Sequence, residues 1–233
     1  MLATPDHKDT TLSNTAFHIA FRLRFALPPL TISVAQCRCR ANYTVDPWHS
    51  LSCHLERSTS HTRRHHHITT LVRHWADKCY AICSIQEPKG IDPNSHKRPD
   101  LLIEFPSQAY LLDISVRHPL APSYVKHHPK PLDTATLAEK DKINKYKDIA
   151  DGIGATFIPF ICETTGGLGQ LAETFSDHLL PSSDDPLFTH HPRWDLKNHF
   201  FTSLGVCIQR GNAECVLLAE KRNEILSCRS RTS

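Results

Sequence analysis

Two short runs of mostly apolar, β-favouring residues lie near the middle of the chain, and the turn sequence PSQ separates them. Residues 100–105 and 109–116 therefore predict the two strands of a β-hairpin. The segment CYAICSI predicts a strand before the hairpin, and ATFIPFI predicts a buried strand after it. Helical spacing of apolar residues predicts helices over 62–77, over TATLAEKDKINKYKDIADG and over GLGQLAETFSDHLL. This order of elements favours an α/β fold with a mixed sheet flanked by helices.

The two ends of the chain have a less regular pattern. Residues 16–30 predict one short amphipathic helix that stops at Pro28 and Pro29. Near the other end, the segment NHFFTSLGVCIQRGNAECVLLAEKRNEIL predicts two helices broken near Gly211. These transitions divide the chain into an N-terminal segment with one short helix (1–36), a cysteine and histidine module (37–61), an α/β domain (62–180), and a loop and helical tail (181–233).

Composition narrows the class of protein. Hydrophobic residues make up 39% of the chain and charged residues 22%, which is typical of a folded protein. The net charge of +3 weakly favours an anionic partner. Nine cysteines without a secretory signal indicate a reducing, intracellular compartment, and no apolar run is long enough to predict a membrane helix. Of the 17 histidines, four are expected to be exposed or to face phosphates rather than bind a metal: His66, His67, His127 and His128.

Two acidic residues lie in apolar surroundings within the hairpin. Asp100 begins its first strand and Asp113 lies inside the second, so the two can approach each other across the hairpin. Converging carboxylates repel unless a divalent cation lies between them, and hard oxygen ligands favour magnesium or manganese. The alternative is that Asp100 caps a turn and that Asp113 pairs with Arg117 or His118.

The helix after the hairpin carries two lysines on one largely apolar face, Lys142 and Lys145. Two acids that hold a metal, together with a lysine from a packed helix, are what phosphodiester hydrolysis requires. For Lys140 and Lys147, a solvated lysine-rich helix with Glu139 and Asp141 as partners is the alternative.

The arrangement RPD, twelve residues, a strand aspartate and then AEKDKINKY resembles the restriction-like endonuclease of site-specific non-LTR retrotransposons, a variant of the PD-(D/E)xK nucleases. In the common form of that superfamily the lysine follows the second acid by two residues, where this chain has Ser115. The resemblance implies a lysine moved to the following helix in a K-x-x-K-Y pattern, here Lys142, Lys145 and Tyr146.

Upstream segments, together with GIGATFIPFICETTGGLG and RGNAE downstream, extend the resemblance over most of residues 16–215. Cys37, Cys39, His49 and Cys53, spaced C-x-C-x9-H-x3-C, resemble the family's zinc knuckle, and four soft ligands suit tetrahedral zinc. The single residue between the first two cysteines is a tighter spacing than zinc sites usually have. RRHHHI resembles an R-H-N segment of the family, and QEP resembles its E-P before the first acid.

The resemblance implies a role for each site residue. Asp100 and Asp113, with the carbonyl of Ile114, are expected to bind Mg²⁺ or Mn²⁺. Lys142 or Lys145 contacts the scissile phosphate or orients the attacking water. Tyr146 packs the helix or contacts the backbone, and Glu87 orients the site or caps a loop. The candidates for nucleic-acid contacts are Arg38, Arg40, Arg63, Arg64 and His65.

The function expected from the resemblance is a nuclear, metal-dependent endonuclease that nicks target DNA for target-primed reverse transcription. The sequence has no counterpart of the paired aspartates of a polymerase palm, so we expect a fragment that acts with a reverse transcriptase supplied elsewhere. Double-stranded DNA is the expected partner, with element RNA as a further candidate. Two alternatives remain open: a catalytically decayed or domesticated nucleic-acid-binding zinc module, and a zinc-stabilised interaction domain.

Overall fold

A computed structural model describes residues 8–29, 36–91, 97–126, 130–180 and 193–229. His127 and His128 lie outside these ranges, and His66 and His67 are exposed as expected. The α-helices are α1 (Asn14–Arg24), α2 (Thr62–Lys78), α3 (Pro122–Val125), α4 (Asp133–Gly152), α5 (Gln170–Leu179) and α6 (Arg193–Arg229). The strands are β1 (Cys83–Gln86), β2 (Leu101–Glu104), β3 (Ala109–Arg117) and β4 (Thr156–Glu163).

The four strands form one mixed sheet in the order β1-β2-β3-β4. β1, β2 and β3 are antiparallel neighbours, and β4 pairs parallel to β3. Two parallel neighbours need a crossover connection, and α4 provides it. The prediction of an α/β fold with a mixed sheet flanked by helices is confirmed, and the predicted hairpin strands match β2 and β3 to within a residue. None of the helices in the described ranges is both long enough and apolar enough to cross a membrane.

Side chains alternate between the two faces of the sheet, and each face has its own helical cover. Leu101, Leu112 and Phe160 lie on one face and pack in the main core with side chains of α2, α5 and α6. Leu111 lies on the other face and packs against Tyr146 and neighbouring residues of α4. Because Asp113 follows Leu111 by two positions, it points toward α4 and not into the main core.

The C-terminal part of the described chain contradicts one prediction. α6 is a single helix of 37 residues, and it runs through Gly211 without a break. A Cβ at Gly211 would lie closer than 3.0 Å to the Cβ, Cγ and Cδ atoms of Arg64 on α2. The glycine therefore allows two helices to approach closely, and the reading of it as a helix breaker was wrong.

Candidate functional site

The register of the hairpin places Asp100 beside Asp113. Leu101 pairs with Leu112, and the Asp100 N–H donates a hydrogen bond of 2.8 Å to the Leu112 carbonyl. Asp100 is therefore directly opposite Asp113, and side chains at opposite positions share a face of the sheet. The Asp113 side chain is only 5% exposed, and burial raises its pKa, with a smaller upward effect from the Asp100 charge. The register thus puts the two acids at opposite positions, and the convergence of their carboxylates on one cation stays a prediction.

The Asp100 carboxylate is fixed by two donors from different elements. Its Oδ2 accepts a hydrogen bond of 2.6 Å from the Ile114 N–H and lies 3.2 Å from His65 Nε2. The same His65 nitrogen lies 3.1 Å from the Ile114 carbonyl, the expected third metal ligand. Burial lowers the pKa of His65, but the hydrogen bond and charge of Asp100 outweigh this effect, and the net pKa is raised. His65, a candidate for nucleic-acid contacts, thus also contacts the candidate metal site.

The structure distinguishes the two candidate lysines. Lys142 Nζ lies 2.6 Å from Asp113 Oδ2, and its side chain is 19% exposed. Lys145 is exposed, and its Nζ lies 4.6 Å from the centre of the Tyr146 ring. Lys142 therefore reaches the acidic pair, whereas Lys145 packs on the aromatic ring beside it.

The alternatives to a two-acid site describe these residues less well. Asp113 pairs with Lys142, not with Arg117 or His118. Glu139, the suggested partner of a solvated lysine helix, is buried and accepts a hydrogen bond of 2.9 Å from the Leu171 N–H. Glu139 thereby caps α5, whose N-cap residue is a glycine without a side chain.

Tyr146 and Glu87 border the acidic pair in different ways. Tyr146 lies on the buried face of α4, and its hydroxyl donates a hydrogen bond of 3.1 Å to the Arg98 carbonyl. Tyr146 thus ties α4 to the segment immediately before Asp100. The Glu87 side chain is exposed, and its N–H donates a hydrogen bond of 2.8 Å to the Asp100 carbonyl. Glu87 has a positive φ of 48° and borders a pocket of about 440 Å³ with Lys97 and Arg98.

A second candidate site lies in the cysteine and histidine module. The ligand atoms of Cys37, Cys39, His49 and Cys53 all lie within 4.8 Å of one another, so the four side chains can hold a metal ion. Cys37 Sγ and Cys53 Sγ are 3.7 Å apart, close to the separation of about 3.8 Å expected for two thiolates of a tetrahedral zinc site with Zn–S bonds near 2.3 Å. The predicted convergence is confirmed, and the donor set is consistent with zinc.

Local structure explains how a C-x-C spacing can serve one ion. The Cys37 N–H donates to the Ala41 carbonyl, and the Arg40 N–H donates to the Cys37 carbonyl, which closes a tight turn with Arg40 at a φ of 71°. Cys39 Sγ lies 2.9 Å from His49 Nε2, at hydrogen-bonding distance. The turn therefore brings both cysteines to the same side as the histidine.

Asp46 is a residue that the sequence analysis missed. Its Oδ2 lies 3.4 Å from His49 Nδ1, the ring nitrogen turned away from the cluster. A carboxylate behind a histidine ligand is a common feature of zinc sites, because it fixes the ring orientation and its tautomer. The spacing D-x-x-H was the available signal. Burial opposes ionisation of Cys53, but hydrogen bonds from His49 and the Leu55 backbone outweigh it and lower the pKa of Cys53 to about 7.

The five residues expected at nucleic acid have different surroundings. Arg38 and Arg40 are exposed beside the cysteine cluster. Arg63 is exposed too, and it forms an ion pair of 2.6 Å with Glu214 on α6. Arg64 is 2% exposed, so it does not lie on the outer surface.

The comparisons with known protein families and with curated proteins found no match to this chain.

Proposed function

We propose that this chain is a metal-dependent endonuclease that hydrolyses phosphodiester bonds of DNA. The observation that carries the proposal is the grouping of Asp100, Asp113 and Lys142, in which two carboxylates share one face of the sheet and an ammonium group lies 2.6 Å from the second. Phosphodiester hydrolysis needs oxygen ligands for a divalent cation and positive charge near the reacting phosphate. The sequence resemblance to the retrotransposon endonucleases points to the same chemistry.

Asp100 and Asp113 would hold Mg²⁺ or Mn²⁺, with the Ile114 carbonyl as a third oxygen. The residues fit such an ion because all three groups are hard oxygen donors, and because a cation offsets the unfavourable burial that raises the pKa of Asp113. When bound, the ion supplies Lewis-acid polarisation of the phosphate and of the attacking water.

The protein's own side chains then have separate tasks. Lys142 stabilises the negative charge that develops on the phosphate in the transition state. His65 and the Ile114 N–H orient the Asp100 carboxylate through hydrogen bonds to Oδ2. Tyr146 holds α4 against the segment before Asp100, and this contact keeps Lys142 over the acidic pair. Asp113 has few alternatives in orientation because it is almost fully buried.

The cysteine and histidine cluster serves as a structural zinc site in this proposal. Four protein ligands leave no open position for chemistry, which is the usual arrangement of structural zinc. Arg38 and Arg40 are exposed on the same module and are placed to contact backbone phosphates without reading sequence. The module thereby positions DNA, and the sheet cleaves it.

The biological setting follows from the sequence resemblance. An endonuclease of this kind nicks a chromosomal target in the nucleus, and the freed 3′ hydroxyl primes reverse transcription. A reverse transcriptase and element RNA are further partners in this setting.

Conversion of supercoiled plasmid to open circles tests the proposed activity. We expect nicking by the wild-type protein in Mg²⁺ or Mn²⁺, none in excess chelator, and none by Asp113→Asn. Equal nicking by Asp113→Asn would show that the activity is not that of this site. A wild-type protein that binds DNA with the salt dependence of phosphate contacts, yet nicks in neither ion, would instead identify a decayed nucleic-acid-binding module.

A further inference from the structure

A cleft of about 900 Å³ lies between the cysteine and histidine module and the C-terminal end of β3. The zinc-cluster residue His49 lines one part of it, and Ser115 and His65 line another. His65 contacts Asp100, and Ser115 follows Asp113 by two positions on the same face of the sheet. The cleft therefore connects the two candidate sites.

Arg64 lines this cleft and is a buried cation without a matching anion. Its Nη1 donates a hydrogen bond of 2.7 Å to Asn212 Oδ1, and its Nε is buried with no hydrogen-bond partner among the described residues. Within the described ranges, no carboxylate lies at ion-pair distance from Arg64. Because a guanidinium stays protonated, its burial leaves positive charge that an anion would stabilise.

Two further donors lie on the β3 side of the same cleft. Arg117 lines it, forms no ion pair with a described carboxylate, and has a buried Nε without a partner. His118 is 3% exposed, with Nδ1 at 2.7 Å from Thr164 Oγ1 and Nε2 unpartnered among the described residues. The cleft thus has three basic side chains with unused hydrogen-bonding capacity.

Electrostatics in the cleft are predominantly positive. Burial lowers the pKa of His118 to about 4, and among the neighbouring charges Asp46 opposes this shift whereas Arg64 adds to it. Asp46 is the one carboxylate among the described residues that line the cleft, and it lies 3.4 Å from His49. An anion in the cleft would meet little repulsion.

We propose that this cleft is a phosphate-binding site, and that it holds a backbone phosphate of the DNA strand whose scissile bond lies at Asp100 and Asp113. The assignment of this phosphate to DNA rests on the proposed nuclease function, whereas the existence of an anion-binding site does not. Arg64 and Arg117 supply the charge, and His118 supplies a further hydrogen bond. Arg117 follows Asp113 by four strand positions, or about 13 Å, so the two residues can contact one DNA strand a few nucleotides apart.

Equilibrium binding of a labelled DNA duplex, measured by fluorescence anisotropy in Ca²⁺ at several salt concentrations, tests the site. Arg64→Gln and Arg117→Gln are each expected to weaken binding by roughly tenfold and to reduce the slope of log K against log salt by about 1. Arg73→Gln is the matched control, because Arg73 lies on α2 outside the cleft and pairs with Asp77. Unchanged affinity and slope in both cleft variants would overturn the proposal for DNA. Arg64 would then only link α2 to α6.

Thermal unfolding in inorganic phosphate, compared with chloride at equal ionic strength, separates the two sources of the anion. If phosphate raises the melting temperature of wild type but not of Arg64→Gln, while DNA affinity is unchanged in both cleft variants, the cleft binds a small free anion and not DNA. If phosphate has no effect and DNA affinity is unchanged, there is no anion site. Arg117→Gln keeps the test valid if Arg64→Gln fails to fold.

Plasmid nicking by the same proteins distinguishes this inference from the proposed function. Arg117→Gln should nick with a raised KM and an unchanged kcat, because the cleft binds DNA away from the reacting atoms. A lowered kcat with an unchanged KM would place Arg117 in the chemistry and contradict the inference. A wild type that never nicks, yet loses DNA affinity on Arg117→Gln, would remove the proposed nuclease function and leave the phosphate site standing.

Discussion

The cysteine and histidine cluster and the acidic pair are assembled by different means. The cluster draws all four ligands from residues 37–53, a segment of turns and short 3₁₀ helices with little regular hydrogen bonding of its own. The acidic pair lies on the β2–β3 hairpin, where backbone register places the two residues. The side chains that contact the pair, His65 and Lys142, come from α2 and α4. A site of the first kind depends on its ion for its shape, whereas a site of the second kind has its shape before any ion binds.

The largest expected effect is loss of zinc from Cys53→Ser. Apparent binding free energies of structural zinc in finger peptides are about 10 to 16 kcal/mol, and removal of one thiolate ligand weakens the site enough for zinc to be lost during purification. We expect about one zinc per chain in wild type and close to none in the variant, by metal analysis after purification without chelator. Far-ultraviolet circular dichroism should change little, because the sheet does not need this ion.

The matched control is Cys83→Ser, which changes a half-buried thiol of β1 outside the cluster and should keep its zinc. Zinc retention by Cys53→Ser would contradict the four-ligand assignment. Loss of the helix and sheet signals from the circular dichroism spectrum would show that the sheet, too, depends on zinc.

The second effect concerns the two lysines of α4. Lys142→Ala should slow nicking by about 10²- to 10³-fold, since it removes transition-state charge stabilisation. Lys145→Ala should change the rate by less than about tenfold, because Lys145 Nζ lies over the Tyr146 ring. The measurement is single-turnover nicking under identical Mg²⁺ and salt conditions. Equal rates for wild type, both single variants and the double variant would show that α4 does not carry the catalytic lysine.

The third prediction tests the contact between α2 and α6, the helices beside both regions. Gly211→Ala should lower the free energy of unfolding by about 1 to 3 kcal/mol, because the new methyl group overlaps the stem of Arg64. Gly205→Ala, in the same helix with open space around its Cα, should instead raise it by up to about 1 kcal/mol. Denaturant unfolding of the two variants gives the comparison. A stabilised Gly211→Ala protein would mean that the two helices are not in close contact there.

The smallest effect is a pH dependence that belongs to the sheet alone. Glu163, at the end of β4, is buried with Oε1 unpartnered among the described residues, and burial raises its pKa above 4.5. The folded state therefore holds a proton that the unfolded state has released, so stability falls as pH rises from about 4.5 through the raised pKa. Glu163→Gln should raise stability at neutral pH by about 1 kcal/mol and flatten this dependence.

Thermal unfolding across pH, with the exposed Glu104→Gln as the control, measures the effect of Glu163. An unchanged profile for Glu163→Gln would assign the pH dependence to other groups. Under the same conditions, chelator should remove zinc from the cysteine and histidine cluster, whereas the pH dependence from Glu163 should not change.

Local patterns predicted the sheet and the metal ligands, but not the contacts that join distant segments. The two apolar runs of β2 and β3, with a short turn between them, favour a hairpin register that puts Asp100 opposite Asp113. Cys37, Cys39, His49 and Cys53 are close in sequence, so their convergence follows from spacing alone. Both predictions depended on short-range information.

The rest depended on tertiary contacts that no local pattern reports. In the sequence, a glycine that breaks a helix looks the same as a glycine that makes room for a neighbouring side chain. Only the close approach of Arg64 shows that Gly211 is of the second kind. His65 contacts Asp100 because α2 packs on the end of the hairpin, far away in sequence. Lys142 and Lys145 lie on the same side of a helical wheel, and only their tertiary contacts with Asp113 and with the Tyr146 ring distinguish them.

α6 also has a consequence for how the chain is made. Its second half packs against α1 and the neighbouring Trp48 and Leu51, and Asn223 donates a hydrogen bond of 3.1 Å to the Tyr43 hydroxyl, 180 residues earlier. At about 5 to 20 residues per second, a ribosome needs roughly 10 to 40 s to add the residues between them. During that time the nascent N-terminal region has its apolar side chains exposed. A chaperone that holds this region, or zinc captured early by the cysteines, would protect it until synthesis is complete.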